Sequence, residues 1–144
     1  MREAAQAYCF LIDEDAPGEE AGAENGKTAF ALRLLTALSD AVAAAVRLPE
    51  VEPSDADLPT PITHEQWLAC YQRIGKLTGL KPDYYWQASS PFAADQVQAD
   101  ISLGDLSDDL ADIWRDLKTG LLALDAGTSL HDVQWQWRQD YWTH

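Results

Sequence analysis

Residues 102–124 read SLGDLSDDLADIWRDLKTGLLAL. Leu103, Leu106, Leu110, Ile113, Leu117 and Leu124 recur in alternating steps of three and four, with Gly120 filling the gap. That spacing is the seam of a helix packed in a bundle. Ser102 with Asp105 predicts a capping box, and Ile101 with Leu106 a staple. Gly127–Thr128 closes the helix, and Ser129 with Asp132 caps another that runs to His144. So short a connection predicts an antiparallel helical hairpin.

Working outward, Thr63 and Gln66 form a capping box, and Ile62 and Trp67 fall at staple positions. The helix that follows carries Trp67, Cys70, Tyr71, Ile74 and Leu77 on one stripe. Leu48–Pro61 holds Pro49, Pro53, Pro59 and Pro61, each lacking a donor and fixing φ, so it predicts an extended strap inside the domain. Before it, Thr28–Arg47 is alanine-rich, with Leu34, Leu35, Leu38, Val42, Ala45 and Val46 on its inner face. A first helix covers Glu3–Ile12 with Ala4, Ala7, Tyr8 and Leu11 aligned, and Asp13–Gly26 is a solvated connector. Asp83–Asp100 reads as irregular, and no alternating β-branched run signals a strand. The expectation is an all-α, single-domain bundle of about five helices spanning residues 1–144, with residues 48–61 an internal loop.

A chain of 144 residues with 24 Asp and Glu against 10 Lys and Arg has a formal net charge of −14. Phosphates and anionic lipid would be repelled, so neither nucleic acid nor a membrane surface is an expected partner. No apolar run reaches about 18 residues, so no membrane span is expected. Met1–Asp15 lacks the pattern of a signal peptide. Cys9 and Cys70 show no metal or redox spacing, which fits a cytoplasmic setting and buried inert thiols.

Glu3–Ile12 (EAAQAYCFLI), the Arg47-Leu48-Pro49…Val51-Glu52-Pro53 run, Tyr84-Tyr85-Trp86 followed by Pro91, and above all Ser102–Leu122 resemble the bacterial family known as domain of unknown function 5063. The resemblance covers nearly the whole chain, with DDLADIWRDLK its most specific part. It implies an all-helical fold and a bacterial, cytoplasmic origin, and it brings no activity with it. The chain departs from the family pattern at Ala88–Ser90, where a Phe-Asp pair is expected before the proline.

Three constellations could carry chemistry. Asp105, Asp108, Asp109, Asp112 and Asp116 share a helix, and clustered helical carboxylates can hold Mg²⁺ for phosphoester hydrolysis. At about 100° per residue, however, the row centres roughly 135° from the Leu/Ile stripe, pointing it at water. The last helix places Leu130, Val133, Trp137 and Tyr141 on one stripe, with Trp135 and Trp142 on another face. A helix apolar on two sides is either central in its bundle or half-exposed for a partner. Residues 61–99 form a neutral, aromatic zone between two acidic ones, a further place for a groove. His64, His131 and His144 make no i, i+4 pair, so neither zinc nor another cofactor is expected. With no phosphate loop and no nucleophile elbow, the reading is a non-catalytic interaction or accessory module. Its candidate binding residues are Tyr85, Trp86, Trp135 and Trp142, and its partner another protein or a second copy. The alternatives are a divalent-metal nucleotide or phosphoester hydrolase using Asp109, Asp112 and Asp116, and a charge mimic of nucleic acid.

Overall fold

A computed structural model describes residues 1–14, 23–54, 61–78, 84–88 and 101–143. They form α1 (Arg2–Glu14), α2 (Ala23–Ala45), α3 (His64–Thr78), β1 (Tyr84–Ala88), β2 (Ile101–Asp105), α4 (Leu106–Asp125) and α5 (Leu130–Thr143). The architecture is all-α: a helical bundle with one small two-stranded sheet. The sheet corrects the sequence reading. Residues 84–88 pair antiparallel with residues 101–105, Tyr84 opposite Asp105 and Ala88 opposite Ile101. The ladder depends on pairing between segments far apart in sequence, which local periodicity does not report. The proposed helix start moves accordingly. Asp105 is the N-cap, extended at φ −114°, its carboxylate accepting from Ser107 N at 2.9 Å. Leu103 therefore lies in β2 rather than on the helical seam.

Two other helix ends extend into the stretch read as a connector: α1 runs on to Glu14 and α2 begins at Ala23, five residues before the expected Thr28. The remaining caps follow the sequence. Thr63 N donates to Gln66 Oε1 at 2.8 Å and Gln66 N to Thr63 Oγ1 at 3.2 Å, a complete capping box. At the end of α4, Thr128 N donates to Ala123 O and Gly127 N to Leu124 O, with Gly127 at φ +92°. This is the Schellman arrangement, and the left-handed backbone there favours glycine. Ser129 Oγ accepts from Asp132 N and donates to Asp132 Oδ2 at 2.6 Å, opening α5 as expected.

The core centres on α4, which packs against α1, α3 and α5. Tyr8, Cys9, Ile12, Ile74, Val133 and Trp137 are its largest fully buried side chains. Because α4 has neighbours on several sides, Ser107, Ala111, Trp114 and Ala123 are buried alongside Leu110 and Leu117, while Leu106 is exposed. In α1, Ala5, Tyr8, Cys9, Leu11 and Ile12 turn inward and Ala7 faces out. In α2, Phe30, Leu34, Ala41 and Ala45 are buried, whereas Leu35, Val42 and Val46, expected inside, are exposed. The alanine-rich helix is apolar on nearly every side, so its sequence does not say which side meets the core. The reading of apolar runs also missed that Asn25–Ala45 is long and apolar enough to cross a membrane, because Arg33 and Asp40 interrupt the run without making the helix polar.

The described part of the strap is tied to α5. Asp132 Oδ1 accepts from Ser54 N at 3.1 Å, and Arg138 Nη1 donates to Leu48 O at 3.0 Å. Hydrogen bonds from Ser129 and then Ser54, opposed by burial, pull the Asp132 carboxyl down to about 2. A carboxylate held below its unfolded value stabilises the fold above about pH 4 and loses that contribution as pH falls toward 2. Asp132→Asn is therefore expected to flatten the acid limb of a stability–pH profile between those values. A profile unchanged in that window would show that the carboxylate does not anchor the strap.

Candidate functional site

Donors on α3 meet the carboxylates of α4 and of its N-cap. Trp67 Nε1 donates to Asp112 Oδ1 at 2.8 Å, and Tyr71 Oη to Asp105 Oδ2 at 2.8 Å. His64, Trp67 and Tyr71 stack in series, with ring centroids 5.4 and 5.7 Å apart. Arg115 braces the same row, Nη1 lying 3.0 Å from Asp112 and Nε 3.3 Å from Asp116. The expectation of a water-facing ridge is thus corrected: Asp105, Asp108, Asp109, Asp112 and Asp116 are all half-buried. Partial burial, and then the neighbouring Asp112, Asp105 and Asp109, raise the Asp108 carboxyl above its ordinary value. Helical angle placed the row correctly relative to the leucine stripe, but a central helix has neighbours on its polar flank too.

Beyond this ladder, α2, α4 and α5 enclose a groove of about 550 Å³. One wall is apolar, from Leu38, Ala41, Val42 and Ala45 of α2 with Ile113 and Leu117 of α4. Asp109, Asp112 and Asp116 line the α4 side, and Asp140 of α5 joins them. Tyr141 and Trp142 supply aromatic surface, and the buried Trp137 also lines the groove. Asp140 accepts from Gln136 Nε2, and Tyr141 meets Trp142 edge-on at 5.1 Å. Trp142 is 64% exposed, unusual for so large an apolar side chain in a lone domain.

Of the expected binding residues, Trp142 lines this groove and Trp135 is half-buried on α5 outside it. Tyr85 and Trp86 lie in β1, opposite Gly104 and Leu103, and their side chains fall outside the described residues. Asp109, Asp112 and Asp116 do come together along one groove. Among the described residues, no three His, Cys, Asp or Glu side chains are arranged to hold a metal ion. The convergence of Asp140, Tyr141 and the α2 wall on this groove is not legible in the sequence. The spacing puts Trp137 and Tyr141 on one stripe, and Trp137 is buried as that implies, but nothing in a single helix reveals that the stripe ends at the lip of a groove.

A family model for a domain of unknown function (DUF5063) matches residues 1–144, the whole chain. The chain belongs to the DUF5063 family. No curated protein and no solved structure matches it. Within this family member the buried nucleophiles are quiet. Cys9 and Cys70 are free and buried, and burial, the largest influence, pushes both thiols up to about 12. Neither is a thiolate at neutral pH.

Proposed function

We propose that this protein is a binding module whose α2–α4–α5 groove receives a cationic amphipathic segment of another protein. The observation that carries this reading is the groove's composition: an apolar floor beside four carboxylates from two helices. Such a lining complements a helix or strand that presents apolar side chains on one face and Lys or Arg along its edge. The exposed Trp142 indole at the lip suits a contact anchor, since tryptophan is enriched among residues that dominate binding energy. The overall charge of −14 steers cationic partners and suppresses anionic ones. The absence of any convergent metal-ligand set among the described residues favours this reading over hydrolysis. The mixed lining favours it over a nucleic-acid mimic, whose charge would be spread over a polar surface.

The test is a titration with a synthetic helix bearing leucines on one face and lysines on the other, followed by tryptophan emission. A shift that saturates and weakens with added salt supports the groove. Asp109→Asn with Asp116→Asn is expected to weaken binding roughly three- to tenfold, the range for two partly exposed charge pairs. A scrambled peptide of equal charge but no apolar face should bind far more weakly. Equal binding of both peptides, or no emission change, would overturn the proposal.

A further inference from the structure

Tyr141 and Trp142 make an aromatic corner on the wall of the groove. Both line it, and their ring planes stand 77° apart with centroids 5.1 Å from each other. Trp142 keeps 64% of its surface open. Ring faces carry the negative part of the aromatic quadrupole. Asp140 precedes the pair on α5, and Asp109, Asp112 and Asp116 stand on the α4 side. Among the described lining residues no Lys, Arg or His side chain supplies a cation. The lining therefore selects for positive charge.

The carboxylates also narrow the kind of cation. Each is already engaged within the protein. Asp112 accepts from Trp67 Nε1 and pairs with Arg115, which reaches Asp116 from outside the lining. Asp140 accepts from Gln136 Nε2, and Asp109 too has a partner. A primary ammonium gives up strong hydration and needs acceptors for its N–H donors in return. A quaternary methylammonium has no donor to satisfy. It gains from ring faces, from contact between its methyl groups and apolar side chains such as Leu38 and Val42, and from nearby negative charge. We propose that this corner binds a quaternary methylammonium group, carried by a small choline-like solute or by a trimethylated lysine on a docking segment. The inference rests on the groove reading and specifies the cation that the groove prefers.

Proton NMR titrations at constant ionic strength test it with choline, ethanolamine and the uncharged choline analogue in which carbon replaces nitrogen. The N-methyl protons of choline should move upfield and saturate, as protons held over aromatic faces do. Choline should bind about two- to fivefold more tightly than the analogue, the range for a cation over an exposed ring. It should also bind more tightly than ethanolamine. Trp142→Leu keeps an apolar side chain at an exposed position, so the thermal melt should not change, but most of the upfield shift and the preference for choline should go. Trp142→Phe should retain part of both. A leucine-faced helix bearing one trimethylated lysine separates the two sources. Tighter binding than its lysine counterpart assigns the corner to a docking segment, and indifference to methylation while choline saturates assigns it to a free solute. The inference is overturned if choline binds no better than its uncharged analogue, if ethanolamine binds more tightly, or if the shift survives Trp142→Leu. A lysine helix that still binds would then leave the groove reading standing, whereas a saturating choline shift with no binding of either helix would leave only the corner.

Discussion

Gly120→Ala is expected to destabilise the protein by about 2 kcal/mol or more, within and above the usual cost of overpacking. On an ordinary helix the same change gains up to about 1 kcal/mol from propensity. Here a Cβ on Gly120 would sit 2.8 Å from Cζ2 of Trp137, and closer still to Cε2 and Nε1. Trp137 is 2% exposed and fixed in the core, so the ring cannot swing aside without moving α4 from α5. The melting temperature should fall by roughly 5–10 °C for a domain of this size. Trp137→Leu alone should also cost several kcal/mol, through the cavity it leaves. In that background, Gly120→Ala should become neutral or stabilising, because the indole it collides with is gone. A double-mutant cycle read from denaturant melts measures this coupling. An alanine tolerated in the wild-type background would mean that the two helices are not in such close contact. The groove is at stake as well, since Trp137 lines it.

Tyr8→Ala should be of comparable or greater size, about 3–5 kcal/mol, the cost of truncating a fully buried aromatic. Tyr8 has no exposed surface, and its hydroxyl donates to Leu110 O at 3.0 Å, joining α1 to α4. Tyr8→Phe keeps the ring and should lose only about 1 kcal/mol, because the Leu110 carbonyl still has its helical partner to bond. The difference between the two variants separates packing from hydrogen bonding. Burial, and then the neighbouring Cys70 and Cys9, raise the Tyr8 hydroxyl well above its ordinary value. Cys9 and Cys70, both pushed to about 12, behave alike. Groups that ionise more readily unfolded than folded stabilise the protein below their unfolded values and cease to do so as pH rises above them. Stability should therefore decline from about pH 9 upward, and Tyr8→Phe should reduce the decline above about pH 10. An alkaline limb identical in the variant would show that Tyr8 is not shielded as described.

The residues that were legible in the sequence are those whose signal is local. Thr63 with Gln66, Ser129 with Asp132, and Gly127 sit within a few positions of the backbone groups they satisfy, and each does what its spacing implied. The three-four repeat of residues 102–124 marked α4 as the heart of a bundle, although its first turn proved to be strand. What the spacing could not show was which groups the other helices would bring alongside. The half-burial of the aspartate row depends on Trp67 and Tyr71 arriving from α3 at Asp112 and Asp105.

From sequence alone came the helical class, the caps of α3 and α5, the turn at Gly127, the acidic character and the family resemblance, because propensity, capping and charge are properties of neighbouring residues. Tertiary packing alone decided which face of the alanine-rich α2 is buried, and that Asp140 and Tyr141 share a groove with Asp112. It also decided that Gly120 must lack a side chain. Each of these is a relation between surfaces distant in the chain, and such relations exist only once the helices have packed.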